Sequence, residues 1–315
     1  MSIAALLLGD SRFPAGGHAH SGGVEPAVTA GTVTDLVSLE AFLRGRLRTA
    51  GLVAAGLSAA ACARSAGERR AGEPNAALAA DSVGLAAEEP VRKRATAGER
   101  GDGVRDPGRG NWNQPLVHTD GFDFWGAIDA EADARTPSPA QRAASRRQGR
   151  ALLRSARIAW PEDRGLAGLA AAGAAVVAEA GQGSAGGPHR GVVGDAAAAR
   201  ATGSGASAEY RGGPHQAVVL GAAAAAAGCD TADAARIAAY QSVAGPASAA
   251  VRLLALDPMR ATAVLARLSG DIDLIAERAA AAADGPLAEL PCPSAPALDL
   301  LAEAHVRAEV RLFES

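Results

Sequence analysis

With 315 residues, 48% of them hydrophobic, and a formal net charge of −3, the chain can form one or two domains with a sizeable core. It carries no basic excess of the kind that marks a nucleic-acid binder. Only 3% of its residues are aromatic and much of the apolar content is alanine, the best helix former but a poor contributor of buried area, so the core must come from closely packed helices with scattered Leu, Val and Ile.

The first residues, MSIAALLLGDSRFP, are an apolar run with no basic segment before it and Asp10 directly after. They are too short for a signal peptide or a membrane span. No later stretch gives about 20 uninterrupted large apolar residues, so no membrane association and a cytoplasmic location are expected. Cys62, Cys229 and Cys292 are far apart and form no CxxC pair, which argues against a disulfide framework or a cysteine zinc site and fits a reducing compartment.

The next stretch is GDSRFPAGGHAHSGGVEPAV, Gly9 to Val28. His18 and His20 invite a metal reading, since imidazole suits zinc and nickel. A metal site needs three or four ligands, and no HExxH and no nearby cysteine supplies them. Ser11 or Ser21 as a nucleophile lacks a G-x-S-x-G elbow. A phosphate loop needs its lysine, and Lys93 is the only lysine in the chain. The glycines favour a shaped loop with close backbone approach, and any GTPase involved must be a partner.

From Asp35 onward, Leu36, Leu39, Leu43, Leu47 and later Leu57 recur at helical spacing. Residues 88–123 are rich in Arg, Gly, Asp and Pro and read as a flexible insertion, with Phe122, Phe124 and Trp125 marking the return to the core. Asp129, Glu131 and Asp133 alternate along a helical stretch and read as a solvated face. Ser138 and Pro139, with Gln141 at the capping-box position, start a helix in which Gly149 is a weak point.

Residues 181–213 form a second expected insertion, a Gly/Ala-rich loop. Within it GGPHRGVVGDAAAARA is nearly duplicated by GGPHQAVVLGAAAAAA, and Pro214 and His215 are expected to open the structured copy. In AYQSVAGPASAAVRLLALDP, Pro246 should break or kink a helix, small residues permit close approach, and Arg252 sits inside an apolar run. Asp257 and Pro258 open another helix, whose stripe runs through Val264, Leu268, Ile272 and Ile275. The last segment places Leu298, Leu301, His305, Ala308 and Leu312 on one face, with His305 a core or interface residue. Alternating β-branched runs are absent, and the expected fold class is all-α.

The Gly9–Val28 stretch, AYQSVAGPASAAVRLLALDP and the ending SAPALDLLAEAHVRAEVRLFES together resemble the UreF family of urease accessory proteins, as do LEAFLRGRLRTAGLVAA and AIDAEADARTPSPAQRAASRRQGRALLRSARIAWP. The likeness, of an actinobacterial type, covers about three quarters of the chain. It implies a single all-α UreF-like helical-bundle domain over residues 1–315 and a non-enzymatic, homodimeric scaffold bridging UreD (also called UreH) and the GTPase UreG on apo-urease. In such an assembly nickel is cargo, GTP is bound by UreG, and the scaffold has no cofactor of its own.

Carried over residue by residue, the partner-binding positions are Asp10, Ser11, Pro14, Gly16, Gly17, His18, Ser21, Gly22 and Glu25 in the first motif. In the central motif they are Tyr240, Ser242, Gly245, Pro246 and Arg252, and in the last helix Asp299 and His305. Two other readings remain open from the residues: a metal-dependent hydrolase using His18, His20 and Glu25, and a helical interaction protein that has lost the urease role.

Overall fold

Short polar side chains set several helix starts. Asp35 accepts a hydrogen bond from the Ser38 backbone N–H at 2.8 Å while the Ser38 hydroxyl receives the Asp35 N–H, a reciprocal capping box. Ser138 accepts from Gln141 N–H, and Asp257 from Met259 N–H, each with proline at the first helical position. Asp230 caps through Asp233 N–H at 2.7 Å.

The computed structural model describes residues 3–10, 20–72, 121–182, 213–309 and 311–313. The helices are α1 Ile3–Gly9, α2 Val24–Thr29, α3 Leu36–Arg46, α4 Leu52–Gly72, α5 Gly121–Ala134, α6 Pro139–Ala159, α7 Arg164–Gln182, α8 Gln216–Ala226, α9 Thr231–Leu254, α10 Pro258–Arg267, α11 Ser269–Ala280 and α12 Pro296–Val306. A π-helical turn, Leu47–Gly51, joins α3 to α4, and a 3₁₀ turn spans Leu287–Glu289. The described residues contain no strand, so the fold is all-α. Most of the two expected insertions, 88–120 and 183–212, lies outside the described residues. The flanking residues 121–123 begin α5, and 181–182 end α7.

The core is organised around α8. Ala217 through Ala225 are all buried, and the helix packs against α4, α6 and α9. Alanine on every side lets the backbones of these helices close up. A Cβ placed on Gly221 would lie 2.2 Å from the Ser58 carbonyl oxygen of α4. The Ser58 hydroxyl completes that seam by donating to the Ala217 carbonyl at 2.7 Å. The larger apolar groups surround this centre: Leu39, Leu43, Leu47 and Leu57 from the first leucine stripe, Trp125 and Ile128 from α5, and Leu152, Leu166 and Leu169 from α6 and α7 are buried. Val264, Leu268, Ile272 and Ile275 are buried as their spacing predicts.

Gly149 is a fitted contact rather than a weak point. A Cβ there would stand 1.9 Å from the Pro214 carbonyl oxygen. Pro246 does not end its helix either, since α9 runs unbroken from Thr231 to Leu254. Proline lacks the N–H that would bond the carbonyl four residues back, and that carbonyl, of Ser242, accepts instead from Arg46 Nε at 2.9 Å. The final stripe is shorter than its spacing predicts. The helix stops at Val306, Ala308 is exposed and Leu312 is 73% exposed.

Replacing Gly221 with alanine should lower stability by about 1–3 kcal/mol through overpacking. Gly126, exposed on α5 with open space around its Cβ position, should accept alanine with a gain of up to about 1 kcal/mol. Urea unfolding of the two variants checks the contrast.

Candidate functional site: a cleft closed by the C-terminal tail

Three stretches far apart in sequence meet at one cleft of about 540 Å³. Asp10, His20 and Gly22 come from the first motif, Tyr240, Ser242, Gly245, Pro246 and Arg252 from α9, and Phe313 from the tail. Gly22 and Gly23 have φ of 58° and 88°, a backbone only glycine adopts readily. A Cβ on Gly22 would fall 2.7 Å from Pro246 Cγ and 3.3 Å from Arg46, so the two motifs touch there. Arg46 sits between them, and burial lowers its pKa to about 10. Gln241 ties the cleft wall together by donating to the Leu8 carbonyl at 2.7 Å and accepting from Gln216 Nε2 at 3.2 Å.

A second, smaller cleft of about 220 Å³ shares His20, Gly22 and Arg46 with the first and extends to Asp299 and Cys292. Asp299 is half-buried, and burial pushes its carboxyl above the ordinary aspartate range. The tail is held at the rim by two residues that the sequence singles out separately. Both oxygens of buried Glu25 accept tail amides, Leu312 N–H at 2.7 Å and Phe313 N–H at 2.9 Å. His305 Nε2 donates to the Phe313 carbonyl at 3.0 Å and lies 3.4 Å from Glu25 Oε2. The guanidinium of Arg252 stands 5.8 Å from the centre of the Phe313 ring, within cation–π range.

Among the expected contact residues, Tyr240 and Arg252 are exposed, Glu25 and His305 face inward onto the tail, and Ser21 is wholly buried with no hydrogen-bond partner for its hydroxyl among the described residues. Ser11, Pro14, Gly16, Gly17 and His18 lie outside the described residues. Glu25 is engaged at both oxygens by tail amides.

A second polar cluster lies beneath the start of α8. Asp129 and Asp133 are one helical turn apart on the inner face of α5, not on a solvated face, and Asp129 is 1% exposed. Glu131, between them, turns aside to Arg135. Arg146 bridges both aspartates from α6, reaching Asp129 at 2.7 Å. The His215 backbone N–H donates to Asp129 at 2.8 Å, and its Nε2 donates to Asp133 at 2.7 Å. Ser145 is 3.0 Å from Nδ1 and accepts the Gln216 N–H at 3.2 Å.

Donor atoms of Asp129, Asp133 and His215 come within 4.8 Å of one another, a spacing that could hold a metal. Arg146 already supplies the cation between the carboxylates, and the cluster anchors the start of α8. Burial pushes the Asp129 carboxyl up, against the pull of His215 and Arg146. Burial also opposes ionisation of Asp133, but the hydrogen bonds and charges of His215 and Arg146 outweigh it and hold that carboxyl below its ordinary value.

The UreF family model matches residues 33–269. The chain is 37% identical over 315 residues to a urease accessory protein UreF of Mycolicibacterium vanbaalenii, covering 100% of this chain and 99% of that one. It is 36% identical over 310 residues to the Mycobacterium marinum protein of that name, covering 98% and 97%, and 35% identical over 315 residues to that of Mycobacterium tuberculosis H37Rv, covering 100% and 99%.

Glu25→Ala removes two hydrogen bonds to a charged acceptor, each worth about 1.5–3 kcal/mol. Faster tryptic cleavage at Arg311 with unchanged helical circular dichroism is the expected readout. Because Asp133 is ionised more readily in the fold than at its ordinary value of 3.8, the stability it lends is present above that pH and lost as acid titrates it below. Asp133→Asn should therefore show a lower Tm at pH 7 and a shallower acid-side fall than the parent, measured by thermal melts from pH 7 to pH about 2.5.

Proposed function

The chain belongs to the UreF family of urease accessory proteins, and from that premise we propose that it is a helical scaffold in urease maturation. It bridges UreD/UreH and the GTPase UreG on apo-urease and supports GTP-dependent nickel incorporation. In this reading it acts in the cytoplasm as a homodimer, holds no cofactor of its own and catalyses nothing. Nickel is the cargo of the assembly and GTP belongs to UreG.

The observation that carries this reading is the convergence of the first motif, the central motif and the tail on one cleft. A scaffold needs contact residues on a rigid frame, and here helices α2, α9 and α12 hold them. Tyr240 and Arg252 offer an aromatic and a guanidinium at the surface, the side chains that most often anchor protein interfaces. Among the described residues lining the main cleft, Asp10 is the only carboxylate and His20 the only imidazole, which fits contact better than hydrolysis. Among the described residues no helix is long and apolar enough to cross a membrane.

Co-purification with UreD and UreG, and urease activation in a reconstituted assay, test the proposal. The double variant Tyr240→Ala/Arg252→Ala should weaken complex assembly by about 2 kcal/mol, roughly thirtyfold, with helical content unchanged. Urease maturation that proceeds equally well without the protein would overturn it.

A further inference from the structure

Many of the described arginines are matched to acidic partners. Arg44, Arg48, Arg64, Arg69, Arg236 and Arg267 each reach a carboxylate. On α6, Arg142 and Arg146 likewise reach carboxylates, while the outer face of the helix carries a row of exposed arginines. Its inner face, Ala144, Gly149, Leu152 and Ala156, is buried, whereas Arg147, Arg150, Arg154 and Arg157 follow one another at spacings of three and four and are all exposed. Residues so spaced share one side of a helix, here over about 15 Å. Arg150, Arg154 and Arg157 form no ion pair with any described residue, and neither does the neighbouring Arg164. Helix α6 contains no acidic residue, and like charges at these spacings work against a helix. Asp163, just beyond it, is committed to Arg69.

We propose that this exposed basic face of α6 is a docking surface for an acidic face of a partner protein. Guanidinium forks match carboxylates in a bidentate geometry. Ile158, 82% exposed at the end of the row, adds the apolar contact that protein interfaces combine with arginine. The chemistry favours protein over the other polyanions. A nucleic-acid module is basic as a whole and offers exposed aromatic rings for stacking, but this chain has a pI near 6.1 and the row itself contains no aromatic residue. A membrane-surface helix turns its apolar face to the lipid, and the apolar face of α6 is already spent on the core. The inference goes beyond the urease-maturation role and does not depend on it.

The test is fluorescence anisotropy of labelled decaglutamate titrated with the full chain at low ionic strength, where screening lengths exceed about 10 Å. Arg154→Glu/Arg157→Glu should weaken binding about tenfold or more. Arg260→Glu/Arg278→Glu, an equal change of charge at exposed arginines elsewhere, should leave it within about twofold. Circular dichroism confirms that both variants fold. Three outcomes overturn the proposal: no binding by the parent, equal loss in the two variants, or tighter binding of single-stranded DNA or phosphatidylglycerol vesicles than of the peptide through the same two arginines.

Discussion

The closeness of α8 to its neighbours is the constraint on which the rest of the structure depends. A helix made almost wholly of alanine contributes little hydrophobic area per residue, so it stabilises the core through backbone proximity and dispersion contacts instead. That proximity leaves no room at two glycines. Gly221 faces the Ser58 carbonyl of α4, and Gly149 of α6 faces the Pro214 carbonyl just ahead of α8. These seams set the positions of α4 and α6 against α8. The start of α8 must also be fixed, because a fully buried helix cannot leave its first N–H groups to water. The Asp129–Arg146–Asp133–His215 cluster and Ser145 do that work.

The cleft inherits its shape from this packing through Pro246. A proline within a helix leaves one carbonyl unpaired, and in α9 that carbonyl points at Arg46. The arginine draws the α3 end of the leucine stripe toward α9, and Gly22 fills the space against the proline ring. The guanidinium bond ties α3 to α9, and the first and central motifs meet where Gly22 packs on the Pro246 ring. The tail closes the arrangement because Glu25, buried on α2, needs donors for both oxygens, and the Leu312 and Phe313 amides provide them. His305, read from sequence as a core or interface residue, stands in that same latch.

Charge is distributed by the same logic. Where helices meet, arginines are matched to carboxylates: Glu40 and Asp271 gather Arg44, Arg48 and Arg267 between α3, α10 and α11. Inside, Arg146 is tolerated because two aspartates and the Gly213 carbonyl satisfy it, as a buried charge requires. On the outer face of α6, Arg150, Arg154 and Arg157 are exposed and form no ion pair with any described residue.

Local chemistry settled much of this protein in its sequence. The caps at Ser138 and Asp257, the leucine stripe from Leu36 and the absence of alternating strands all act within a few residues of one another, so the all-α class and several helix starts could be read directly, and the motifs of the cleft were recognisable as family signatures. What escaped depends on residues distant in the chain. Asp129 and Asp133 look like a solvated pair until Arg146 and His215, 17 and 86 residues from Asp129, enclose them. Gln141 fits a capping box, but Glu303 of α12 supplies the additional acceptor at that helix start. Pro246 reads as a break or kink in the sequence, because its effect on the helix depends on whether a donor reaches the Ser242 carbonyl. Sequence determines which groups seek a partner, and only the tertiary fold decides which partner comes within hydrogen-bonding distance.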